Sequence, residues 1–151
     1  MEDAIEILLV EDDPHDVRLT LRELERENIR NRIAVARDGA EALDFLFCRG
    51  EFQDRLPNHP PKLVLLDLKL PKVNGLEVLR EIKTNPVTRP IPVVVLTSSA
   101  EERDVVDSYK LGVNSYIQKP VDFEQFRQTI KNLGLYWLVV NRLPPDKTFA
   151  T

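Results

Sequence analysis

Four groups of polar residues stand where an apolar run stops. They are Glu11-Asp12-Asp13 after Ile5-Glu6-Ile7-Leu8-Leu9-Val10, Asp67 after Leu63-Val64-Leu65-Leu66, Thr97 after Val93-Val94-Val95-Leu96, and Lys119 after Ser115-Tyr116-Ile117-Gln118. Carboxylates, a hydroxyl and an ammonium are together suited to phosphoryl transfer. Clustered carboxylates repel one another unless a hard cation joins them, and oxygen ligands of this kind suit Mg2+, which readily takes a phosphate oxygen as a further ligand. An ionised carboxylate such as Asp67 can act as the nucleophile, giving an acyl phosphate, and needs no general base to do so. Thr97 and Lys119 can then bind the remaining oxygens, where charge builds in the transition state. Taken singly, each signal has a plain structural reading. Acids and hydroxyls after a strand are often helix caps, and a lone lysine is usually solvated. The chemistry therefore requires that the chain bring all of them to one place.

The stretch around Asp67 is the most informative. Its apolar half has strand length and reads as a strand buried on both faces. Pro71 and the pair Asn74-Gly75 then force a turn before the next helical pattern. A charge at the end of such a strand serves no packing purpose. In an open parallel sheet it stands at the carboxyl edge, where ligands bind.

The other elements follow in order. After the first strand, Asp13 suits a helix N-cap and Pro14 its first turn, and Val17, Leu21 and Leu24 carry the helix to about Asn28. Arg32-Ile33-Ala34-Val35-Ala36 is a more polar strand near an edge, and Asp38-Gly39 turns into a helix bearing Leu43, Leu46 and Phe47. Arg49 to Lys62, with Pro57, Pro60 and Pro61, reads as a long irregular loop able to contact a partner. Gly75 opens a helix carrying Leu79 and Ile82. Ser99 and Glu102 form a capping-box pair for a helix with Val105, Val106 and Tyr109, which Gly112 stops. Asp122 and Gln125 cap a last helix in which Phe123, Phe126, Ile130, Leu133 and Trp137 keep the period. Strand and helix alternate about five times, with connections too long for hairpins. The expected fold is α/β, a parallel sheet with helices on both faces, and right-handed crossovers put every strand's carboxyl end on one rim.

Composition narrows the classes. The 151 residues are 42% hydrophobic and 30% charged, an ordinary balance for one globular domain. A net charge of -4 without a Lys/Arg block speaks against a nucleic-acid surface. The N-terminus lacks a signal-peptide pattern, and no apolar run approaches the ~18 residues of a membrane span, so the expected location is cytoplasmic. Cys48 reads as a buried structural thiol within an apolar helical pattern, and His15 and His59 show no catalytic partners. Neither a phosphate-cradling Gly-x-x-x-x-Gly-Lys loop nor a Gly-x-Gly-x-x-Gly turn is present, so a phosphoryl donor must come from outside.

Over roughly Ile5 to Leu133 these residues resemble a two-component response-regulator receiver domain. The family's acid pair matches Glu11 and Asp12; its phosphoacceptor matches Asp67 within the pattern Asp-x-x-x-Pro-x-x-x-Gly (Asp67, Pro71, Gly75). Its switch hydroxyl matches Thr97, its switch aromatic Tyr116, and its Lys-Pro pair Lys119-Pro120. The resemblance implies a doubly wound, flavodoxin-like sheet of five strands in the order 2-1-3-4-5. It implies Mg2+ held by Asp12 and Asp67 directly, by Glu11 through water and by the backbone carbonyl of Lys69, and a cis Lys119-Pro120 bond. It also implies a two-state switch in which Thr97 moves toward the phosphoryl group as Tyr116 turns inward. Glu11 stands where the family more often has Asp.

The proline-bearing loop and the tail from Tyr136 to Pro145 further resemble single-domain regulators paired with phytochrome-type histidine kinases. On this reading residues 1–140 form a receiver domain with an extended last helix, residues 141–151 are a tail, and the apolar helix end around Trp137 and Leu138 supports a homodimer. The protein is then no enzyme with a separate substrate, but a regulator that takes phosphate from a histidine kinase. A phosphorelay shuttle that passes phosphate to a histidine phosphotransfer protein fits the same residues. A Mg2+-dependent aspartyl-phosphate phosphatase fits less well, because Lys69 stands two residues after Asp67, where such enzymes need an acid.

Overall fold

A computed structural model of the chain describes residues 6–26, 33–55, 60–97 and 110–134. Five strands, β1 (Ile7–Val10), β2 (Ile33–Ala36), β3 (Leu63–Asp67), β4 (Val93–Thr97) and β5 (Ser115–Gln118), form one sheet. Every neighbouring pair is parallel and the order is β2-β1-β3-β4-β5, as the family resemblance implied. The described helices are α1 (Pro14–Arg26), α2 (Gly39–Leu46), α3 (Gly75–Thr84) and α4 (Phe123–Asn132). The expected Ser99–Glu102 capping box and the helix with Val105, Val106 and Tyr109 lie outside the described residues.

Strand alternation sorts the core into two layers. Ile7 and Leu9, with Leu63 and Leu65, Val94 and Leu96, and Ile117, pack with Val17 and Leu24 of α1 and Phe126 and Ile130 of α4. Leu8 and Val10, with Val64 and Leu66, pack with Ala42, Phe45 and Leu46 of α2 and Val78, Leu79 and Ile82 of α3. β1 and β3 are buried along their whole length, which explains why both read as continuous apolar runs. β2 lies at the sheet edge and is only half-buried, although its four residues Ile33-Ala34-Val35-Ala36 are all apolar.

The same alternation places the chemistry. Glu11 is two residues beyond Leu9, Asp67 two beyond Leu65, and Lys119 two beyond Ile117, so all three continue the rows that face α1 and α4. Local caps hold the helix starts in place. Asp13 Oδ1 accepts from the His15 N–H at 2.8 Å, Asp38 from Glu41 at 2.7 Å, Asn74 from Glu77 at 2.9 Å, and Asp122 from Glu124 at 3.1 Å.

Two expectations change. Cys48 is neither helical nor fully buried. α2 ends at Leu46, the Cys48 and Arg49 N–H groups return to the carbonyls of Phe45 and Asp44, and Cys48 takes a left-handed φ of 55°. This is a Schellman stop without the usual glycine, so the sequence does not announce it. The segment after Arg49 is less irregular than expected. A 3-10 turn over Gly50–Phe52 sets the Phe52 ring edge-on to Phe45 at 5.1 Å, and the Arg55 guanidinium lies 3.8 Å over the same ring. α4 is described over Phe123–Asn132, with Gly134 after it at φ 75°, and the expected continuation of the apolar period to Trp137 lies outside the described residues.

Gly75 is where the turn after Asp67 needs a residue without a side chain. Its N–H donates to the Leu68 carbonyl at 2.9 Å, and a Cβ there would come within 2.4 Å of Leu68 Cα and 2.5 Å of the Asp67 carbonyl oxygen. Both obstacles are backbone, so the turn itself must yield. Gly75→Ala is expected to lower unfolding free energy by about 2–3 kcal/mol, read from urea melts. An unchanged midpoint would show that the turn relaxes freely.

Candidate functional site

The carboxyl ends of β1, β3 and β5 bring Glu11, Asp67 and Lys119 together. Glu11 is fully buried and Asp67 is 5% exposed, while Asp12 is exposed at the mouth. One carboxylate oxygen from each of Glu11, Asp12 and Asp67 lies within 4.8 Å of the others, so the three can share one small cation. All are hard oxygen donors, two buried and one open to solvent, a set that fits a divalent ion retaining water ligands.

The Lys119 ammonium is the counter-charge. Its Nζ donates to Glu11 Oε1 at 3.0 Å, to Asp67 Oδ2 at 3.3 Å and to Asp16 Oδ2 at 2.8 Å, and its side chain is 8% exposed. Asp67 Oδ1 accepts from the Lys69 N–H at 3.2 Å, so both oxygens of this carboxylate are held in place. The second Glu11 oxygen accepts from the Asp13 N–H at 3.3 Å, and the Glu11 N–H donates to the Ala36 carbonyl at 2.9 Å. Backbone from two loops and one ammonium thus fix the pair.

The electrostatics follow from this packing. Burial pushes the Glu11 carboxyl up to about 7; the Asp67 charge adds to the rise, and the Lys119 hydrogen bond offsets part of it. For Lys119 burial works the other way, but hydrogen bonds to Asp16 and Glu11 and the Asp67 charge outweigh it and raise the ammonium above its ordinary value.

Other expected site residues fall as follows. Thr97 ends β4, in register with Gln118, and its side chain lies outside the described residues. Tyr116, in β5 opposite Val95, is 40% exposed. Lys119-Pro120 is cis. His15 is exposed, in line with a surface role, and His59 lies outside the described residues. Asp16 was not singled out from the sequence. Its signal was available: it falls four residues after Asp12, in the first turn of α1, the turn that faces the end of β1. An acid there reads by default as a complement to the helix dipole.

Fold and rim together define a doubly wound α/β protein with a three-carboxylate cation site and a buried lysine at the end of its sheet. The chain matches the response regulator receiver domain over residues 7–131, and it belongs to that family. It is 44% identical over 143 residues to the probable methanogenesis regulatory protein FilR2 of Methanothrix harundinacea, covering 95% of this chain and 90% of that protein. It is 44% identical over 139 residues to the response regulator Rcp1 of Synechocystis sp., covering 91% of this chain and 92% of that protein. The structure of the bacteriophytochrome response regulator AtBRR superposes with a TM-score of 0.82 at 53% identity, covering 93% of this chain and 99% of that one. The Mn2+-bound form of Rcp1 gives 0.74 at 42% identity, again covering 93% and 99%. No helix among the described residues is long and apolar enough to cross a membrane.

A raised Glu11 carboxyl makes cation binding compete with a proton. With its carboxyl at about 7, Glu11 is mostly protonated at pH 6 and mostly ionised at pH 8. Mg2+ is therefore expected to bind about tenfold more weakly at pH 6 than at pH 8 in titration calorimetry, with proton release on binding at the lower pH. In the metal-free protein the sign for stability is the reverse of an ordinary ion-paired acid. Because the folded-state value lies above the unfolded one, this group adds stability as pH falls through about 7 toward 4.5. Equal Mg2+ affinity at both pH values would contradict this account of Glu11.

Proposed function

We propose that this protein is a stand-alone response regulator that accepts a phosphoryl group from a histidine kinase onto Asp67 and signals by changing its protein contacts. The observation that carries the reading is a buried carboxylate, Asp67, with an ammonium 3.3 Å from one oxygen and two further carboxylates within 4.8 Å, of which Glu11 is buried as well. Such a group is a poor structural element and a good phosphoacceptor. One Asp67 oxygen bonds to phosphorus as the phosphorus–nitrogen bond of the donor phosphohistidine breaks. The imidazole leaves with that electron pair and takes up a proton. Asp12, Asp67, Glu11 and the backbone carbonyl of Lys69 would hold a Mg2+ ion, which would supply positive charge to the phosphoryl oxygens. Lys119 supplies the second positive charge and Thr97 a hydroxyl donor.

On this reading the protein turns over no separate substrate and works in the cytoplasm. Its output passes through Thr97 and Tyr116, whose exposed ring on β5 turns inward as Thr97 approaches the phosphoryl group. The likeness to a bacteriophytochrome response regulator and to Rcp1 along nearly the whole length of each supports a phytochrome-type kinase as the donor. The apolar stretch around Trp137 and Leu138 supports a homodimer through the last helices.

Two measurements test these readings. After incubation with acetyl phosphate and Mg2+, the wild-type protein is expected to gain the mass of one phosphoryl group, and Asp67→Asn none. Equal labelling of both would remove Asp67 from its role. Light scattering coupled to size exclusion is expected to give a dimer mass that falls to the monomer in Trp137→Ala. A mass that stays the same would end the dimer proposal.

A further inference from the structure

Three carboxylates share the Lys119 ammonium, and the shortest contact goes to the one that no phosphoacceptor chemistry requires. Asp16 Oδ2 lies 2.8 Å from Nζ, against 3.0 Å for Glu11 and 3.3 Å for Asp67. The lysine side chain is 8% exposed and that of Asp16 28%, so Asp16 closes the solvent side of the ammonium. An acid that served only the α1 dipole would point into water and need no partner. Here its carboxylate spans from α1 to the end of β5 and draws Nζ toward itself. The ammonium is thereby positioned farther from Asp67 than from either competitor.

We propose that Asp16 is a positioning residue that holds the Lys119 ammonium in reserve and yields it to the phosphoryl group when Asp67 is modified. The inference rests on the reading of Asp67 as phosphoacceptor. With three carboxylates sharing one ammonium, Asp67 receives only part of its charge. An arriving phosphoryl group carries more negative charge than the carboxylate it modifies, so it outcompetes Asp16 for Nζ. Asp16 therefore acts as a brake on donor binding. It keeps the metal-free site more negative, and it makes the ammonium's movement part of the phosphorylated state.

The test combines labelling kinetics with a spectroscopic readout on wild type, Asp16→Asn and Asp16→Glu. Intact-mass time courses over a range of acetyl phosphate concentrations, with Mg2+ present, give a half-saturating donor concentration for each. That value is expected to fall about fivefold in Asp16→Asn and to stay within about twofold of wild type in Asp16→Glu. In a Lys119→Met background the Asp16→Asn change is expected to have no effect, because the brake acts through the lysine. An equal fall in that background would mean that Asp16 acts by its charge alone, and it would overturn the proposal.

The 15Nζ resonance of Lys119 provides the second arm, read in the metal-free, unphosphorylated protein. In Asp16→Asn it is expected to shift from the wild-type position. An unmoved resonance would overturn the proposal even if Lys119→Met takes no label. In labelled wild type with Mg2+ it is expected to move in the same direction. Failure of wild type to label at all would instead sink the phosphoacceptor reading, which the metal-free comparison of wild type with Asp16→Asn does not use.

Discussion

Two carboxylates buried side by side are costly, and the rest of this rim is arranged so that Glu11 and Asp67 can tolerate it. Removing an ion from water costs several kcal/mol even after relaxation, and a like charge nearby adds to that cost. Lys119 meets part of it with one ammonium shared among three acids, and the backbone N–H groups of Asp13 and Lys69 meet more. What is left over shows in the Glu11 carboxyl, which burial holds near 7. The unsatisfied part of this balance is what makes the site receptive to a divalent ion. A fully compensated cluster would have no such appetite.

The fold supplies this arrangement through the period of two along each strand. The residues two places beyond the last inward side chains of the α1–α4 layer are an acid on β1, an acid on β3 and a lysine on β5. A slip of one residue in the register of any of these strands would turn its charge to the other face. Continuous apolar burial along β1 and β3, and the capped starts of α1 and α3, therefore do more than stabilise the domain. They set the register that makes the cluster possible.

Most of this was legible in the residues. The apolar runs marked the strands, the charges at their ends marked the rim, and the Asp-Pro-Gly spacing after β3 marked the turn. The order of the strands was legible only through the family resemblance, since alternating elements alone do not fix which strands are neighbours. Three features were hidden for distinct physical reasons. Asp16 looked like a routine first-turn acid, because its partner Lys119 is 103 residues away. Cys48 occupies a left-handed helix stop that glycine usually marks, so the end of α2 had no signal. Arg55 docks on the Phe45 ring by tertiary contact, which no local pattern encodes.

The loop that follows Asp67 is wedged between two positions that leave no space for a side chain. A Cβ at Gly75 would strike Leu68 from one side, and a Cβ at Gly39 would lie 1.8 Å from the Val73 carbonyl oxygen on the other, where the Gly39 N–H also donates to Pro71 at 3.4 Å. A side chain at either position would therefore displace the loop beside Asp67. The path of this loop past the rim is thus set by two absent side chains, 36 residues apart in sequence.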